Sequence, residues 1–202
     1  MPRTTDPAPT DLLRIDDELA DTERLVRDTV RRFAADRILP NVADWFEAGT
    51  LPRELFPEIG KLGLLGMHLK GYGCAGMGAI AYGVACRELE AADSGLRSLV
   101  SVQGSLAMFP IWKYGSDEQK EEWLPRMAAG EAVGCFGLTE PDHGSDPGGM
   151  ATTAKPNGTG CAITLRCRGI RGALATAGQR GCSPTCAHRI ARLWRRAFRS
   201  AR

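Results

Sequence analysis

GCFGLTEPDHGSDPGGMATTAK, residues 134–155, is the stretch around which the rest of the chain is ordered. An apolar run from Ala132 to Leu138 leads into it and is short enough to be a buried strand. The run then breaks at Thr139-Glu140-Pro141-Asp142-His143-Gly144-Ser145-Asp146-Pro147-Gly148-Gly149. Glycine and proline punctuate this segment, and Asp and Ser side chains can bond their own backbone, so it is a loop. Its glycines let backbone approach a ligand closely, and successive N–H groups can cup an anionic oxygen. Thr139 and Ser145 add hydroxyls at either end of the loop. By spacing alone it suits a cofactor with a flat polar ring and a phosphate, or it is a surface loop after a strand.

Working outward, the 202 residues fit one large or two small domains and can bury a core. The net charge of +2 hides a split. Residues 1–155 hold 16 Lys and Arg against all 24 Asp and Glu, whereas residues 156–202 hold 10 Arg and no acid. That asymmetry marks two pieces of different origin or role. No apolar run approaches the ~20 residues a membrane span needs. MPRTTDPAPTD at the start lacks the apolar core of a secretion signal, and its acids argue against a transit peptide. Seven cysteines without a disulfide-like framework indicate a reducing, cytoplasmic setting.

Before the loop the pattern is helical. Residues 1–10 read as a disordered start, and a helical pattern runs from Asp11 to Ala48 with a break or kink at Pro40. Pro52 is placed to open the next helix, which carries Leu55, Ile59 and Leu62. Residues 71–76, GYGCAG, form a loop. Helix follows from near Met77 to about Asp93, then from Leu96 to Tyr114 with a kink at Pro110. Ser116 and Gln119 make a capping box for a last helix that ends at Gly130.

The ordered string F-G-L-T-E-P-x-x-G-S-D, from Phe136 to Asp146, resembles the flavin-binding signature of the acyl-CoA dehydrogenases. The resemblance implies a mainly α fold: an N-terminal helical domain at 11–131, followed at 132–155 by the first strands of a truncated β-domain. It implies FAD as cofactor, held by Phe136, Gly137, Leu138, Thr139, Glu140, Gly144 and Ser145, with Ser145 where flavin and acyl-CoA substrate meet. It also implies an electron-transfer flavoprotein as electron acceptor and a homo-oligomer. The family's catalytic glutamate belongs to a C-terminal domain, so no catalytic residue is assigned here, and no metal is implied.

Within that family, KGYGCAG (70–76), Arg87-Glu88-Leu89-Glu90 with Asp93-Ser94-Gly95, and Arg97-Ser98 with Ser101-Val102-Gln103 are similar to glutaryl-CoA dehydrogenase. The resemblance covers roughly residues 15–155. Arg97 and Ser101 are four apart and share a helical face. A guanidinium beside a hydroxyl can receive a carboxylate, or the pair is simply an exposed helical Arg and a Ser. The resemblance implies the former: Arg97, Ser98 and Ser101 meet the substrate, whose far carboxylate distinguishes glutaryl-CoA from fatty acyl-CoA. The implied reaction is oxidation to glutaconyl-CoA and decarboxylation to crotonyl-CoA, a step of lysine and tryptophan degradation. Another short or dicarboxylic acyl-CoA is the alternative.

After Lys155 the resemblance stops. The family's Trp-Ile-(Thr/Ser)-Asn segment does not follow, and the tail offers no carboxylate for a base. The tail, 156–202, reads first as the disordered product of a shifted reading frame. The other readings are a basic module for polyanions or a metal module using Cys161, Cys167, Cys182, Cys186 and His188, whose spacings are not the usual knuckle. Residues 189–202, with Leu193, Trp194, Ala197 and Phe198, allow a short amphipathic helix. Neither nucleic acid nor membrane is an expected partner of the whole.

Overall fold

The computed structural model describes residues 14–136, 138–149, 151, 153–157 and 160–164. After a short 3-10 turn, Ile15–Glu18, helix α1 spans Asp21–Phe33. Its first turn is closed by a carboxylate, since Glu23 accepts the Ala20 N–H at 2.9 Å. The ladder then widens into a π turn over Ala34–Ile38 and stops, and α2 follows at Val42–Ala48. The helical stretch to Ala48 is therefore broken at Pro40, as expected, because Pro40 has no N–H to donate.

Helix α3, Leu55–Lys61, begins three residues after Pro52. The Pro52 carbonyl accepts the Leu55 N–H at 3.2 Å, so this proline shapes the turn before the helix and does not open it. The expected loop at 71–76 is a hairpin: β1, Lys70–Gly71, pairs antiparallel with β2, Cys74–Ala75. Tyr72 and Gly73 both have positive φ, 56° and 80°, which is the turn that matches strand twist.

Helices α4, Ala79–Ala92, and α5, Ser94–Ser101, meet at Asp93, whose Oδ1 accepts the Leu96 N–H at 2.8 Å. A second π turn, Val102–Met108, joins α5 to α6, Phe109–Tyr114. The expected kink at Pro110 thus becomes a change of helical pitch before it. Pro110 itself sits in the first turn of α6, where no N–H is needed. Helix α7, Asp117–Ala128, opens with the expected box: Ser116 Oγ accepts from Gln119 N at 3.3 Å, and Gln119 Oε1 accepts from Ser116 N at 3.0 Å.

Helix α1, through Val30, and the π turn after it, through Ala34 and Ile38, pack on α4 against Ala81, Ala85 and Leu89, and the small residues allow close approach. A second apolar cluster joins Leu69, Met108, Leu124, Met127 and Ala128. Over the first core lies an ion network. Glu88, 7% exposed, accepts from Arg31 Nε and Nη2 at 2.8 and 3.0 Å, and Arg87 bridges Glu88 to Asp16.

The run expected as a buried strand has no ladder partner among the described residues. Residues 132–136 do alternate as a strand would, with Val133 and Cys135 exposed and Ala132, Gly134 and Phe136 half-buried. The strands that form lie later: β3, Thr153–Asn157, pairs antiparallel with β4, Gly160–Thr164. This hairpin carries the chain past residue 156, where sequence placed the start of a disordered tail. Asn157 pairs with Gly160, the ladder pair nearest the connection between the two strands. The cysteine and histidine candidates and the amphipathic stretch of the tail lie outside the described residues, save Cys161 in β4. Among the described residues no helix is long and apolar enough to cross a membrane.

Candidate functional site

Helices α4 and α5 run antiparallel around the Asp93 cap, and their facing residues form a polar seam. Tyr82, Cys86 and Glu90 recur every four residues on α4; Arg97, Ser101 and Ser105 do so on α5 and its π extension. Two cross-helix contacts set the register. Arg97 Nε donates to Glu90 Oε2, and the Tyr82 and Ser105 hydroxyls lie 3.5 Å apart. This register puts Cys86 level with Ser101. Ser98 is half-buried and about 100° round the helix from Arg97.

Electrostatics follow from the geometry. The Glu90 hydrogen bond and charge hold Arg97 still more firmly protonated. Burial pushes the Tyr82 phenol and the Cys86 thiol up, with the Arg97 charge acting against it. Arg97 is 36% exposed and Glu90 46%, so the charged end of the seam opens to solvent while its hydroxyl end is more covered. Glu90 was not singled out in sequence as a site residue. Its signal was available: it lies seven residues before Arg97 across a helix stop, the distance at which two antiparallel helices face each other.

The second part of the site is the loop. Pro141 and Asp142 form the tip of a turn in which His143 N donates to Glu140 O at 3.3 Å. Glu140 is turned inward, 4% exposed, and its Oε2 accepts the Ala151 N–H at 2.7 Å. Its carboxylate therefore braces the loop from behind. Thr139, Gly144 and Ser145 are exposed, and Phe136 and Leu138 half-buried. A Cβ at Gly144 would meet nothing within 4 Å, so space is open beside Ser145. Gly137 lies outside the described residues. Two exposed hydroxyls, an open glycine and half-buried apolar residues fit a ligand with a flat ring and hydrogen-bonding edges. Of the expected site residues, Arg97 and Ser101 share the seam, and Thr139, Gly144 and Ser145 share the outer side of the loop.

The loop is joined to the seam's helix by Gln103, a residue noted in sequence only as part of a motif. Gln103 is 2% exposed. Its Nε2 donates to Met127 O at 3.1 Å and Ala132 O at 2.9 Å, and its Oε1 accepts the Gly134 N–H at 2.8 Å.

Residues 20–131 match the family model described as acyl-CoA dehydrogenase, N-terminal domain. Among solved structures, a glutaryl-CoA dehydrogenase from Mycobacterium smegmatis in complex with FADH2 is 59% identical, with a TM-score of 0.74 over 78% of this chain and 41% of that one. A second structure of glutaryl-CoA dehydrogenase from that organism is 64% identical, with a TM-score of 0.72 over 76% of this chain and 40% of that one. Among curated proteins, the mitochondrial short-chain specific acyl-CoA dehydrogenase of Bos taurus is 35% identical over 142 residues, 70% of this chain and 34% of that protein. The chain thus spans about a third of the length of the curated relatives it matches. By the match of residues 20–131 and the fold they adopt, the chain belongs to the acyl-CoA dehydrogenase family.

Proposed function

We propose that this chain forms part of an FAD-dependent acyl-CoA dehydrogenase whose substrate is glutaryl-CoA, oxidised and decarboxylated to crotonyl-CoA. The observation that carries the proposal is the Arg97–Glu90 pair at the open end of a polar helix seam. Glu90 engages the Nε side of the Arg97 guanidinium and orients it, and the Nη edge of the fork is what a substrate carboxylate takes. Ser98 and Ser101 add hydroxyl donors to that carboxylate or to the acyl chain. A fatty acyl chain would bring no carboxylate to that Nη edge and leave Arg97 with Glu90 alone.

Thr139, Gly144 and Ser145 present the loop's hydroxyls and open backbone to FAD, with Phe136, Gly137 and Leu138 along it and Glu140 bracing it. Bound FAD supplies the two-electron acceptor, and the protein's share is placement and electrostatics. Electrons pass on to an electron-transfer flavoprotein, and the working enzyme is a homo-oligomer. The short-chain relatives favour a second reading, in which a short acyl-CoA without the far carboxylate is the substrate.

The test is Arg97→Met in a chimera joining residues 1–155 to the remaining domains of the Mycobacterium smegmatis glutaryl-CoA dehydrogenase. Loss of a charge-assisted contact to the substrate carboxylate should lower kcat/KM for glutaryl-CoA by at least about tenfold. Butyryl-CoA has no second carboxylate, so its value should hold or rise. Equal losses on both would make Arg97 structural and return the substrate to an unspecified acyl-CoA.

A further inference from the structure

We propose that Gln103 is a positioning residue that latches the ligand loop to the helix carrying Arg97 and Ser101. The inference rests on the reading of residues 136–145 as the flavin loop. Three observations lead to it.

The first is the completeness of the Gln103 amide. Its NH2 group has two donors and they serve two carbonyls, one at the end of α7 and one in the run that follows. Its oxygen takes the Gly134 N–H. A buried side-chain amide bonded to three backbone points on one approach is not a generic core residue, since an apolar side chain would fill the same volume without directionality.

The second is the backbone it serves. Residues 132–136 have the alternation of a strand but no neighbouring strand among the described residues. In that setting Gln103 supplies the acceptor for Gly134 and the donor for Ala132 that a ladder would have supplied.

The third is the fit at Gly134. A Cβ there would lie 2.4 Å from Ala107 Cβ and 2.8 Å from Met127 Cε. The segment is therefore seated against the same π turn that bears Gln103, with room for glycine alone. A π turn re-aims the side chains of one helical turn relative to the next, and such turns recur at functional sites. Here it sits between Ser101 and Phe109, so one widened turn both continues the polar seam and holds the entrance of the loop. Only Cys135 lies between Gly134 and Phe136, too short a connection for the start of the loop to drift while Gly134 is held.

The test uses the full 202-residue chain, with Gln103→Met and Gly134→Ala attacking the latch from opposite sides. Residue-resolved amide exchange should show the Gly134 amide exchanging at least about tenfold faster in Gln103→Met, since its acceptor is gone. Amides of Leu89 and Val100 in the core should be unchanged. In Gly134→Ala the amides of Cys135 and Phe136 should speed up in the same local way. Unchanged exchange at 134–136, or acceleration spread equally through the core, overturns the latch.

The second readout is FAD titration followed by flavin fluorescence. Each variant should weaken FAD binding by about tenfold, the loss expected when a pre-positioned hydrogen-bonding loop is released. Local loosening with unchanged FAD affinity would overturn the positioning role. If the unaltered chain takes up no FAD at millimolar concentration, the titration is made with the chimera described above, and no uptake by the unaltered chimera makes the flavin reading fail. The exchange data then decide the latch independently.

Discussion

His68 lies half-buried, its ring centroid 5.2 Å from that of Tyr82 and 6.5 Å from that of Phe109. Its Nδ1 is buried without a hydrogen-bond partner. Burial holds its pKa below the ordinary histidine value, so the folded protein favours the neutral ring. The sign of the consequence follows. Above the ordinary value of about 6.5 neither state carries the proton, and titration of the ring contributes nothing to stability. As pH falls through that value the unfolded chain protonates first, and stability is lost. His68→Phe keeps a ring beside Tyr82 and Phe109 and removes both the titration and the orphaned nitrogen. The urea midpoint of the native chain should fall relative to that of the variant between pH 7.5 and pH 5. Parallel curves would show that His68 does not titrate on unfolding in this range.

The elements are joined by glycine where no side chain fits. Gly130 closes α7 with φ +78°, and a Cβ there would lie 2.3 Å from the Phe56 carbonyl oxygen. The end of α7 therefore rests directly on the backbone of α3. Gly130→Ala should destabilise the chain by roughly 1–3 kcal/mol, through both the unfavourable φ and the clash with backbone that cannot rotate away. Ser116→Ala at the other end of the same helix removes one cap bond and should cost about 1 kcal/mol. Thermal melts of the two variants check both values. A Gly130→Ala loss no larger than that of Ser116→Ala would mean that α3 and α7 slide apart easily.

In the molecule as a whole the proposed flavin loop is open on its outer side. Thr139, Gly144 and Ser145 are exposed, and no described element covers them. Tight small-molecule sites bury ~70–90% of the ligand surface. A polypeptide of these 202 residues should therefore bind FAD weakly, with a dissociation constant above about 10 µM, and purify without yellow colour. Flavin fluorescence titration reads this directly, and submicromolar affinity would show that the loop and seam suffice. Exposed Phe46 (80%), Leu25 (67%) and Ile80 (61%) add apolar surface on several elements. They favour self-association at high concentration, which sedimentation would report.

Much of this was legible in the chain because it is local. The Ser116–Gln119 box, the Asp93 stop, the helical periods of α1 and α4 and the turn chemistry of 139–149 each depend on residues within a few positions of one another. So does the common face of Arg97 and Ser101. What remained hidden depends on distance. The division of the helix between Leu96 and Tyr114 by a π turn is marked within the widened residues by Gly104 alone, and a single glycine is tolerated inside a regular helix. The inward turn of Glu140 depends on the amide of Ala151, eleven residues away. Glu90 becomes the partner of Arg97 only when α4 and α5 fold back on each other. Gln103 reads as one more polar residue in an apolar helix until α7 brings Met127, Ala132 and Gly134 to it. Helix periods, caps and turns arise from short-range sterics and hydrogen bonding, which sequence order specifies directly. The run at 132–136 has the alternation of a strand in its sequence, but whether its backbone groups meet a ladder or a glutamine depends on which elements pack beside it.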